Sequence, residues 1–129
     1  MNIDRRYVVW ALCYATLGMV LGIYMAASHN HAEFVTHAHI LLVGFAVSFI
    51  YGTIHKLWLA APGRGIANAQ FALHQASAIT MTGGLFLMFA NMVPAPTLEP
   101  ILATALIGVL LGMLLMIYMV IRFGGARSA

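Results

Sequence analysis

Four apolar runs, at residues 7–27, 34–61, 66–93 and 98–123, constrain this chain more than any other feature. Each reaches the roughly 20 residues that a helix needs to cross the hydrocarbon core of a bilayer. In lipid, every backbone N–H and C=O must be bonded within the protein, and a single segment can do this only as a helix. The sequence therefore predicts an all-α integral membrane four-helix bundle, a single domain over residues 1–129. Composition enters as support: 63% of the residues are hydrophobic and only 7% are charged. A soluble domain carries about 25% charged residues. The expected partner is the lipid bilayer, not nucleic acid.

The breaks between runs are short and readable. Ser28-His29-Asn30-His31 is polar, and Pro62-Gly63-Arg64-Gly65 and Pro94-Ala95-Pro96 are turn clusters. Short connections make sequential helices antiparallel neighbours. Arg5 and Arg6, Lys56 and Arg64, and Arg122 and Arg127 then all fall on one side, with Glu33, Glu99, His29 and His31 on the other. This is the positive-inside pattern, and it predicts that both termini are cytoplasmic. The first run exceeds the 7–15 residues of an ordinary signal-peptide core, so a permanent helix is expected. Cys13 is the single cysteine, which excludes an intrachain disulfide. Gly18 with Gly22, and Gly108 with Gly112, have the spacing that lets helix backbones approach closely, within or between subunits. No phosphate loop or nucleophile motif is present, so an enzyme acting on its own is not expected.

Six histidines in so apolar a chain need an explanation. Ionisable groups within a bilayer are costly and usually mark function. His29 and His31 read as solvated loop residues, and His55, beside Lys56, as an interfacial anchor. His74 reads equally as a hydrogen-bonded interior residue or as a ligand. His37 and His39 are the strongest candidates for a cofactor. At about 100° per residue, His37, Leu41, Gly44, Ser48, Tyr51 and His55 share a small and polar stripe that should face the bundle interior. His39 lies about 200° from His37, on an apolar stripe with Val43, Ala46, Ile50 and Leu57. A ring nitrogen unpaired in hydrocarbon is costly, so His39 should have a partner. On the third helix, Gln70, His74, Ser77, Met81, Gly84 and Met88 form a second interior stripe. Depth along antiparallel helices places His74 near Gly52 and within about one turn of His55, and about 20 Å from His39.

The run Thr36-His37-Ala38-His39-Ile40-Leu41-Leu42-Val43-Gly44-Phe45, continuing to Tyr51-Gly52 and His55, resembles one helix of the heme–copper oxidase subunit I family. The likeness is closest to the C-family enzymes and their short standalone relatives. It covers about 40 residues, and Gln70-Phe71-Ala72-Leu73-His74 is weakly similar to the start of the next helix of that family. The resemblance implies that His37 matches the ligand of a high-spin heme and His39 the ligand of a low-spin heme. It implies heme b as cofactor, with His37, His39, His55 and His74 as candidate cofactor residues and His37 and His39 as iron ligands. The family's copper ligands and its second low-spin ligand have no counterpart here, so the remaining axial ligand must come from elsewhere in the chain or from a second copy. A homo-oligomer in a bacterial inner membrane, exchanging electrons with a redox partner, is the corresponding expectation. The readings that follow are electron transfer, gas binding or heme handling. Two others stand beside them: copper or zinc binding or transport through the histidines, and an accessory subunit whose histidines only hydrogen-bond.

Overall fold

A computed structural model describes residues 1–125; Arg127 lies outside the described residues. The described chain is all-helical. Helix α1 spans Ile3–Ser28, α2 spans Phe34–Leu57, α3 spans Arg64–Phe89 and α4 spans Ala95–Phe123. Three of the four, α1, α2 and α4, are long and apolar enough to cross a membrane. Helix α3 has the length, with 26 residues, or about 39 Å of rise, but carries more polar side chains. Gln70, His74, Gln75, Ser77 and Thr82 are nevertheless all buried in the bundle. A buried polar face of this kind lowers the hydropathy of a helix without putting polar groups against lipid.

The helices form two hairpins. Helix α1 packs along α2, α3 packs along α4, and α2 joins the pairs by its contacts with α3. Both Gly-x-x-x-Gly pairs work inside the chain. A Cβ on Gly18 would stand 2.5 Å from Leu41 Cδ2 of α2, and one on Gly108 would stand 2.1 Å from Ser77 Oγ of α3. An added Cβ at either position would force the facing side chain to move. Each connection contains one non-glycine residue in the left-handed region: His29 (φ 55°), Ala61 (φ 47°) and Asn91 (φ 56°). His29 thus terminates α1 as its C-cap. At the opposite end, Leu59 pairs with Gly124 in an isolated antiparallel bridge, and Ala60 N–H donates to Phe123 C=O at 2.9 Å. This ties the end of α4 to the α2–α3 turn.

Helix α2 departs from the regular winding assumed by the helical wheel. Ile40–Ala46 is wound as a π-helix, with α-helical turns on both sides. Such segments are rare and tend to occur at functional sites. Gly44 lies within it, and a Cβ there would meet the Tyr14 ring of α1 at 2.5 Å. The wider turn changes the register between His37–His39 and the Ser48–His55 half of the helix. Gly44, Ser48, Tyr51 and His55 are buried as the wheel predicts, whereas His37 and Leu41 are only half-buried.

Candidate functional site

The His37 and His39 rings are held in the same way. His37 Nδ1 lies 2.9 Å from the Gly18 carbonyl of α1, and His39 Nδ1 lies 2.8 Å from the Val35 carbonyl of its own helix. A carbonyl only accepts, so Nδ1 carries the hydrogen in both rings. The neutral imidazole then presents an unprotonated Nε2. This is the arrangement in which a histidine ligates a metal while its other nitrogen fixes the ring by a hydrogen bond. Gly22 makes room for the first ring: a Cβ there would come within 3.0 Å of His37 Cε1. His39 stands one turn from Val35 and one turn from Val43, and both valines pack against an apolar cluster of Met81, Leu85 and Ala105. Farther along α2, an apolar cleft of about 240 Å³ runs between Val47, Ile50 and Ile54 and the Met113, Met116 and Val120 side of α4.

His74 occupies a different environment. It is fully buried and belongs to a hydrogen-bonded network through the centre of the bundle. Tyr14 O–H donates to Gln75 Oε1 at 3.0 Å, and Gln75 Nε2 donates to Ser48 Oγ at 3.1 Å. Ser48 Oγ lies 3.1 Å from His74 Nε2. A hydroxyl that accepts from Gln75 can donate to Nε2, which leaves the His74 proton on Nδ1. The Val43 carbonyl of the π segment faces that atom but outside hydrogen-bond geometry. Alongside, Tyr7 O–H donates to Gln70 Oε1, and Gln70 Nε2 donates to the Gly112 carbonyl at 3.2 Å. The Tyr51 ring stands edge-on to His74 at 4.9 Å. His74 is at the level of Ser48 and Tyr51, nine residues, or about 13 Å of helix, beyond His39. The two do not meet.

His55 is not an interfacial anchor. It is 4% exposed, stacks on Tyr7 at 5.6 Å, and among the described residues has no hydrogen-bond partner at either ring nitrogen. Tyr7 also approaches His74 at 6.3 Å, so one phenol ring lies beside both buried histidines. Sequence reasoning missed Tyr7 and Tyr14, whose phenols complete the polar network. The signal was present: Tyr7, Ala11, Tyr14 and Gly18 follow a three-and-four spacing, and all are buried.

The α1–α2 loop end carries a groove of about 750 Å³, walled by Leu17, Leu21 and Tyr24 of α1 and Phe86 and Phe89 of α3. That is within the range of small-molecule sites. Ile40, which follows His39, contributes to it, and neither His37 nor His39 lines it. Glu33 closes one end: it is 6% exposed, its Oε2 accepts from Thr36 Oγ1 at 2.6 Å, and its Oε1 has no partner. Among the described residues, no three His, Cys, Asp or Glu side chains converge on one point. A site for a bare metal ion built from His29, His31, His37 and His39 therefore has no preformed geometry. A heme needs only one or two protein ligands, and an apolar wall with a tethered imidazole fits its chemistry. The propionates of such a group would find no Lys or Arg at the α1–α2 loop end. Comparison of the chain with protein-family models, curated proteins and solved structures found no match.

Proposed function

We infer that the chain is a b-type heme protein of the membrane whose role is electron transfer. In this reading four helices cross the bilayer, with both ends on the side of Arg5, Arg6, Lys56 and Arg64, in a bacterial inner membrane. Heme is a large apolar plate with an iron that takes neutral imidazole, and the face of α2 bearing His39 offers both requirements. The observation that carries the inference is the paired tethering of His37 and His39 through Nδ1, which leaves each Nε2 free to ligate. His39, on the more apolar face, is the proposed iron ligand, and His37 is the proposed second ligand residue, on the opposite face. His74 stands about 13 Å of helix away from His39, and we assign the sixth ligand to a second copy, which makes the heme protein a homo-oligomer. A bis-histidine iron suits electron transfer with a redox partner, whereas an open position would suit gas binding or heme handling.

The test is a series of His→Ala changes in the detergent-purified chain, read by the reduced-minus-oxidised visible spectrum. His39→Ala should abolish the low-spin signal, while His29→Ala and His31→Ala should leave it unchanged. An unaltered spectrum in His39→Ala would sink the assignment.

A further inference from the structure

The π-wound segment Ile40–Ala46 shifts the inner face of α2 by one residue. In an unbroken α-helix, the buried line through Ser48 and Gly44 would pass through His37, since seven or eleven residues return to nearly the same side. The fully buried residue there is Thr36 instead, and His37 is half-buried. An offset of one residue is what a turn closed by i→i+5 bonds adds to a helix closed by i→i+4 bonds. The offset decides where both candidate ligands stand. With Thr36 on the inner line, His37 lies about 100° to one side and His39 about 60° to the other. Both are half-buried against the bundle, and Ala38 between them is exposed. With His37 on the inner line, His39 would lie about 200° away and face lipid.

The local sequence does not select this winding. Ile40-Leu41-Leu42-Val43-Gly44-Phe45-Ala46 is an ordinary apolar run, and π turns are rare. The backbone shows what changes. Val47 N–H, which in an α-helix would donate to the Val43 carbonyl, donates to the Leu42 carbonyl instead. The Val43 carbonyl, relieved of that donor, faces His74 Nδ1 of α3. His74 is fully buried, and among the described residues its Nδ1 has no formed hydrogen bond. Ser48 Oγ occupies its Nε2, so the ring carries its hydrogen on Nδ1, toward that carbonyl. In a low-dielectric interior an N–H facing a carbonyl attracts it more strongly than in water. We propose that His74 is a positioning residue: its Nδ1–H holds the Val43 carbonyl, and with it the π winding that sets His37 and His39 astride the inner face of α2. The winding belongs to the chain alone; that the two rings so placed meet iron rests on the heme reading.

The experiment uses the full chain in lipid nanodiscs without heme, so its failure is separate from a failure of the heme reading. In a Cys13→Ser background, Ala38→Cys and His39→Cys each carry a nitroxide, and electron paramagnetic resonance reads its collisions with oxygen dissolved in the lipid. The two sites differ by about 1.5 Å in depth, so their order reports the rotation of the helix. With native His74, position 38 should collide more often than position 39. His74→Gln keeps an amide near the Nε2 position for Ser48 but has no donor at the δ position, and the order should invert. His74→Asn keeps an N–H at the δ position and gives up the bond to Ser48, and the native order should remain. A loosened bundle would blur the contrast between the two sites without inverting it, and circular dichroism checks that each variant is folded. A second measurement needs no change at His74. Solid-state magnetic resonance on the His39→Cys chain, which lacks the other ring held by a valine carbonyl, should show a dipolar contact between 15N-labelled His74 Nδ1 and a 13C-labelled valine carbonyl. Absence of that contact, the native order in folded His74→Gln, or an inverted order in folded His74→Asn overturns the proposal.

Discussion

Gly44 and Gly83 should respond to alanine with opposite signs. In an ordinary exposed helix interior, Gly→Ala gains about 0.5–1 kcal/mol because alanine loses less backbone freedom on folding. At Gly83 of α3 nothing lies within 4 Å of the added Cβ, so that gain should appear in full. At Gly44 the new Cβ meets Tyr14 Cδ1 at 2.5 Å, Cγ at 2.6 Å and Cβ at 3.0 Å, whereas ordinary contact begins at 3.4 Å. The root of the ring cannot swing aside, so α1 and α2 must part by roughly 1 Å. Overpacking of this kind costs about 1–3 kcal/mol. Displacing Tyr14 also strains its bond to Gln75 Oε1, whose loss costs about 1 kcal/mol more. Gly44→Ala is therefore expected to lower stability by about 1–3 kcal/mol net of the propensity gain, and Gly83→Ala to raise it by about 0.5–1 kcal/mol. Reversible unfolding in mixed micelles with increasing dodecyl sulfate, followed by circular dichroism, gives both values. A Gly44→Ala chain as stable as Gly83→Ala would refute the packing of α1 against the π segment.

Other positions give sharper tests of the polar centre and the turns. Ser48→Ala leaves His74 Nε2 and the Gln75 amide without their shared partner. In the same unfolding assay it should cost about 1–3 kcal/mol, the penalty of an unpaired buried group. His39→Ala, on a half-buried site, should change the stability of the heme-free chain by less than about 0.5 kcal/mol and should remove a bound chromophore, together with the stability that the bound group adds. His74→Ala empties a fully buried site and should cost about 2–5 kcal/mol by analogy with large-to-small core changes. Ala61→Gly should raise stability, because Ala61 sits at φ 47°, where an L side chain costs about 1–2 kcal/mol.

Much of this bundle was legible in the sequence because lipid imposes strong periodicity. In the third-helix stripe Gln70, His74, Ser77, Met81 and Gly84 are buried and Met88 is half-buried, and Gly44, Ser48, Tyr51 and His55 of the second helix are buried too. The first connection falls at the polar break, whereas the second and third, at 58–63 and 90–94, come mostly before the predicted Pro/Gly clusters, whose later residues already start the next helix. Other features were out of reach for a definite physical reason. A π segment inserts its extra width without any residue pattern that a 100° wheel can register, so the half-burial of His37 could not be read. The phenols of Tyr7 and Tyr14 count as apolar in a hydropathy pattern, which hid their role in pairing Gln70 and Gln75. Neither Gly-x-x-x-Gly pair says which helix it will meet; the structure places Leu41 on Gly18 and Ser77 on Gly108. The partner that His39 requires proved to be, at Nδ1, the Val35 carbonyl of its own helix. A side chain can satisfy one nitrogen locally and leave the other for a ligand, and spacing alone does not separate the two cases.

The most direct measurement is the visible spectrum of the detergent-purified wild-type chain, as isolated and after dithionite. The account predicts a Soret band and sharp reduced α and β bands from low-spin heme. Absence of a Soret band, even after hemin is added, would contradict it.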